Sequence, residues 1–214
     1  MHLTASRKYS LIASANLRRN YLPHIALSVL LLFITPVIFG TSNLDAKTAA
    51  IPLEMFIALN GILLLTPVFL PEQQKEIREL VESRYTSYNS VCLVRIIIAI
   101  LIMLLLISCF VLYMKLNGCE FEVLSYIIGT FAGGFFLGAL GLFSYGLSNH
   151  IATGYMIPMV YYILNMFSGS EHLGQLYLFS MAQGSFEEKF RLLASGVLLI
   201  ILVLIVKSLV QKRR

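Results

Sequence analysis

Charge is what this chain has least of. Only 13% of its 214 residues are Asp, Glu, Lys or Arg, against 58% that are hydrophobic, and the mean hydropathy is +0.82. That leaves too little polar surface to cover a water-soluble domain, so an integral membrane protein is expected. Cysteine is nearly as scarce. Cys92 and Cys109 fall inside one apolar run and Cys119 stands alone, which leaves no disulfide framework and no CxxC metal site. No G-x-x-x-x-G-K-[ST] run occurs, so the chain has no phosphate-cradling loop of its own. An A-x-A-like cleavage site is also missing after the first apolar run. That run, from Tyr21, is about 20 residues, longer than the ~7–15 of a signal h-region, and it is expected to be retained.

What is present is apolar sequence in stretches near the ~20 residues a helix needs to cross the hydrocarbon core. Outer-membrane barrels use ~10-residue alternating segments instead, so the fold class is all-α. Six spans are expected: Tyr21 to Gly40, Ile51 to Leu70, Val91 to Met114, Val123 to Leu147, Ile151 to Phe167, and about Phe190 to Val210. Only Ser148, Asn149 and His150 part the fourth from the fifth, but Val123 to Phe167 is 45 residues, about twice one crossing, so a tight turn is expected there.

Orientation follows from lysine and arginine, which accumulate on cytoplasmic flanks. Arg7, Lys8, Arg18, Arg19, Lys75, Arg78, Arg84, Arg95, Lys207, Lys212, Arg213 and Arg214 fall on one side of a six-span chain, and Lys47, Lys115, Lys189 and Arg191 on the other. Twelve against four puts both termini in the cytoplasm. The net charge of +5 is then a product of topology and gives no reason to expect nucleic acid as a partner. Residues 1–20 set Tyr9, Ile12, Ala13, Asn16 and Leu17 at helical spacing, which fits an amphipathic helix along the inner leaflet. A plain basic flank obeying the positive-inside rule fits the same residues.

Ionisable groups inside a membrane are costly and usually kept for function. Here the spans hold few. Glu54, Arg95 and His24 lie within about a turn of expected interfaces, where they are read as anchors or local hydrogen bonds. "EEKFR", Glu187 to Arg191, resembles the paired-glutamate motif of membrane CAAX proteases, but its arginine comes one residue early. The histidines that family needs on further helices are missing, since His150 falls in a turn and His172 in a loop. No catalytic residue, metal site or bound cofactor is expected, and the chain is not read as an enzyme.

The most polar stretch, "PEQQKEIRELVESRYTSYNS" from Pro71 to Ser90, lies between two spans on the cytoplasmic side. Pro71 suits a helix start, Glu72 and Glu76 suit its N-terminal end, and Ile77, Leu80, Val81 and Arg84 fall at i, i+3, i+4 and i+7. Lys75 with Glu79 and Arg78 with Glu82 are i,i+4 pairs. A narrow apolar stripe on a charged frame suits docking of a cytoplasmic protein.

With these residues the chain resembles the permease subunits of type-2 ABC transporters, the exporter class. The resemblance covers essentially the whole chain: six spans, cytoplasmic termini, an amphipathic N-terminal segment over 1–20 and one transmembrane domain over 21–214. It implies that 71–84 is a cytoplasmic coupling helix in a groove of an ATP-binding subunit, docking through Glu72, Glu76, Ile77, Leu80, Val81 and Arg84. Ser83, Ser87 and Arg95 complete the family's loose pattern. ATP and Mg would belong to that partner subunit, none to this chain. A second permease copy, identical or related, would complete the path. The family also places short re-entrant helices on the outer face between its last two spans, where this chain has Ser168 to Phe190; an ordinary interfacial loop fits that composition as well.

"GTFAGGFFLGALG" in the fourth span carries Gly129-x3-Gly133 and Gly134-x3-Gly138, spacings that let helices approach closely. The outer loops Thr41 to Ala50 and Leu116 to Glu122 are short, so no external domain is expected to capture a soluble substrate. The resemblance then implies a hydrophobic or cationic peptide, or a lipid-like cargo, in export or self-immunity, across a bacterial plasma membrane. Two alternatives stay open: a substrate-binding membrane subunit of an uptake transporter, whose A-x-x-x-A contact lacks a mate here for Ala26, and a stand-alone immunity protein.

Overall fold

A computed structural model describes residues 21–73 and 88–212, and among these every regular element is helical. The order is α1 (Leu22–Phe39), α2 (Ala46–Met55), a 3-10 turn (Ile57–Leu59), α3 (Asn60–Leu65), a 3-10 stretch (Thr66–Gln73), α4 (Tyr88–Leu116), α5 (Val123–Ser148) and α6 (Ile151–Leu173). Two short 3-10 turns (Gly174–Leu176 and Met181–Gln183) then lead to α7 (Glu187–Lys212). Unbroken apolar sequence favours these long helices because a helix satisfies every backbone group within its own segment.

Five helices are long and apolar enough to cross a membrane: Leu22–Phe39, Ala46–Leu70, Val91–Leu116, Val123–Ser148 and Glu187–Leu209. This gives the chain the character of a multi-pass membrane protein. The expected fifth span, Ile151 to Phe167, is a helix but not one of these five. Its buried face is Gly154, Pro158, Tyr162 and Asn165, and those residues dilute an otherwise apolar surface. The turn at "SNH" is present: α5 ends on Asn149 in the left-handed conformation (φ 55, ψ 16) and α6 begins two residues later.

The second span differs from its expected form. It starts at Ala46, five residues before Ile51, and is broken at Phe56 into α2, a 3-10 turn and α3. Pro52 lies inside α2 and cannot donate a backbone hydrogen bond. Asn60 Nδ2 donates to the Ile57 carbonyl at 3.0 Å, a local bond across the 3-10 turn.

Helix α5 is the hub, packing against α7, α6, α3 and α4. Its glycines let backbones meet. A methyl on Gly61 would sit 1.7 Å from the Gly134 carbonyl oxygen, and one on Gly138 would sit 2.4 Å from the Gly61 carbonyl oxygen. At one end the loops join: Asn43 N donates to Asn117 O at 3.0 Å, Glu120 N to Leu44 O at 2.9 Å, and Tyr126 OH to Ala46 O at 2.6 Å. The opposite end gathers cations and aromatics. Lys207 Nζ donates to Asn149 Oδ1 at 2.7 Å and lies 5.2 Å from the Phe69 ring centre, and Arg95, 5% exposed, reaches the Val68 carbonyl at 3.5 Å.

Candidate functional site: a charge-clamped plug

Residues 174–186 are not a loop lying on the surface. Tyr177, Leu178, Phe179, Ser180 and Met181 are all buried, so this stretch plugs the end of the bundle between α6 and α7. Non-helical backbone at that position needs partners from the protein, because lipid offers none. Side chains from three helices supply them.

From α6, Asn165 Oδ1 accepts from Leu178 N at 2.9 Å and Tyr161 OH donates to Leu176 O at 2.6 Å. From α2, Glu54 accepts from two consecutive amides: Met181 N reaches Oε1 at 2.9 Å and Ala182 N reaches Oε2 at 3.1 Å. Those amides open a 3-10 turn, and first-turn N–H groups have no partner within a helix and favour an anion. From α7, Lys189 Nζ donates to Glu54 Oε1 at 2.5 Å and also to the Leu178 carbonyl.

The Glu54–Lys189 pair is sealed from solvent, with side-chain exposures of 1% and 2%. Such a pair is a poor source of net stability, because desolvation offsets much of the attraction. Its worth lies in placement: one carboxylate and one ammonium tie α2, the plug and α7 together. Beside the carboxylate lies a pocket of about 270 Å³ lined by Ile51, Glu54, Met55, Met166, Phe179 and Ala182. Nearby, Tyr162 OH donates to Met55 O at 2.7 Å, which ties α6 to α2.

The residues singled out from sequence fall in three places. Glu72 lies in the 3-10 stretch Thr66–Gln73, while Glu76, Ile77, Leu80, Val81 and Arg84 lie outside the described residues, as does the 1–20 segment. Gly134 and Gly138 meet Ala58 and Gly61 of the second span; a methyl on Gly129 would strike Met181 Sδ in the plug at 2.4 Å; Gly133 has open contacts, with Lys189 Nζ 3.9 Å away. Arg95 is buried rather than extended to the interface. The Ser168 to Phe190 stretch contains the plug.

Sequence reasoning missed the ion pair. From sequence alone Glu54 reads as an anchor or a local hydrogen bond and Lys189 as a flanking charge, since 135 residues separate them. A signal was present: Glu54 is the only acidic residue within the second apolar run. Among the described residues no group of three or more His, Cys, Asp or Glu is placed to hold a metal ion. Compared with protein-family models, curated proteins and solved structures, the chain matches none of them.

Proposed function

We propose that this chain is the membrane-spanning permease subunit of an ATP-driven exporter of the type-2 ABC class, moving a hydrophobic or cationic peptide or a lipid-like molecule. The observation that carries the reading is the buried, non-helical plug between the last two long helices, in the stretch where that class has re-entrant outer segments. A second span broken beside the plug adds support, because discontinuous helices accompany substrate paths in transporters.

In this reading the chain crosses a bacterial plasma membrane six times, α6 making the fifth crossing. The plug faces outward and the Arg95 and Lys207 end faces the cytoplasm, where the positive-inside rule places excess cations. Two permease copies enclose a path at their interface. An ATPase subunit docks on the 71–84 segment, and its closure on ATP tilts the bundles. The chain itself hydrolyses nothing.

The test is a mild-detergent pull-down of the tagged chain from its native membrane, with mass spectrometry of what is retained. A stoichiometric Walker-motif ATPase is expected, and Leu80→Asp should remove it without affecting membrane insertion. Recovery of the chain alone at every yield would overturn the reading in favour of a binding or immunity protein.

A further inference from the structure

The Glu54–Lys189 pair is built asymmetrically. Glu54 is short, sits one residue before the end of α2, and is pinned by the Met181 and Ala182 amides as well as by Lys189. Lys189 is the third residue of α7, and its four-carbon stem lies next to a helix end whose neighbours Glu187 and Phe190 are exposed. A lysine so placed can turn its ammonium inward or out to the interface by changing rotamers. The carboxylate has no such alternative.

A bare carboxylate buried in a membrane bundle is strongly disfavoured, so Lys189 leaves most readily when another cation takes over Glu54. The about 270 Å³ pocket reaches Glu54, and Lys189 does not line it. Its remaining walls are Ile51, Met55, Met166, Phe179 and Ala182, with Met166 half-exposed on the outer surface of α6. This approach suits a cation only if it carries an apolar tail.

We propose that the pocket is a binding site for an amphipathic primary amine. The ligand's ammonium meets Glu54 from the pocket and takes the carboxylate over from Lys189, and its alkyl part lies against Met55, Met166 and Phe179. Lys189 swings to the end of α7, the plug loses its tie to that helix, and ligand entry and plug release become one event. The carboxylate that lines the pocket needs N–H donors, which a primary ammonium supplies and a quaternary ammonium lacks. The site stands apart from the ATPase reading: a chain that recruits no ATPase keeps it, and an amine-insensitive plug leaves that reading untouched.

The test uses the full chain in sheared native membranes, with Cys92, Cys109 and Cys119 replaced by alanine and a single reporter cysteine added. Ser180→Cys reports on the plug and Ile107→Cys on the distant core of α4; both positions are buried. Hexylammonium should raise maleimide labelling at position 180 about tenfold and saturably, leaving position 107 unchanged. Hexanol and tetramethylammonium should do neither. Glu54→Gln should abolish the response, and Met166→Trp, a change at an exposed position that narrows the mouth, should raise the half-saturating concentration about tenfold. No response to hexylammonium, an equal response to hexanol, a matching rise at position 107, or an undiminished response in Met166→Trp would each overturn the proposal.

Discussion

At the residue scale, the decisive group is the Glu54 carboxylate, which accepts from three donors in a confined space: the Met181 and Ala182 amides and the Lys189 ammonium. Breaking the buried pair from one side strands a charge, so Lys189→Met should cost about 3–5 kcal/mol. The neutral pair Glu54→Gln with Lys189→Met should recover part of it, because no ion remains and the amide oxygen still accepts from one of the two plug N–H groups. Thermal unfolding of the purified chain in detergent checks both, and equal losses in the single and double variants would refute the clamp. A second carboxylate, Asp45, lies outside the spans. The Thr48 hydroxyl, followed by nearby backbone N–H groups, holds it below its ordinary value of 3.8. A depressed folded value contributes stability that is present above the ordinary value and lost as pH falls through the folded one. Thr48→Val should therefore lower the melting temperature slightly at neutral pH, with the difference fading as the pH falls below 3.8 and through the folded value. Asp45 and Thr48 are legible as a local pair from their spacing. Glu54 and Lys189 are not, because nothing local joins residues on helices so far apart in sequence.

At the element scale, the second span and α5 are fitted to one another by the absence of side chains. The small-residue spacings in "GTFAGGFFLGALG" announced a close approach, but which glycines meet a neighbour depends on how α5 is rotated against the break in the second span. Gly61→Ala would drive a methyl into the Gly134 carbonyl and should destabilise the chain by about 3 kcal/mol or more, at the upper end of overpacking costs. Gly133→Ala, whose nearest contacts are 3.8 and 3.9 Å away, should be tolerated within about 0.5 kcal/mol. Size-exclusion profiles after graded heating distinguish the two, and equal tolerance would mean that the helices do not approach as described. The break itself was only half legible. Pro52, Asn60 and Gly61 each weaken a straight helix, yet the residues from Ile51 to Leu70 are apolar enough to read as one crossing. The backbone stays bonded through the break, with Phe56 N donating to Pro52 O and Leu59 N to Phe56 O, so packing against α5 can select the bent form.

At the scale of the whole molecule, the helices alternate so that Asn43 and Glu120 lie at the plug end and Asn149 at the other, all exposed. Cysteines at positions 43 and 120 should react in intact cells with a membrane-impermeant maleimide, while one at 149 should react only after permeabilisation. Labelling of 149 in intact cells would refute the proposed orientation. The sequence by itself determined the class and the long helices, because burying ~20 backbone amides in lipid admits few forms other than a helix and composition records that directly. It also marked the turn at Asn149, a residue that tolerates the left-handed conformation. Only the tertiary structure decided that residues 174–186 are a packed plug and that Glu54 and Lys189 share one site. Helix formation depends on local hydrogen bonds and side-chain polarity, whereas the pairing of two buried charges depends on where α2 and α7 come to rest against α5.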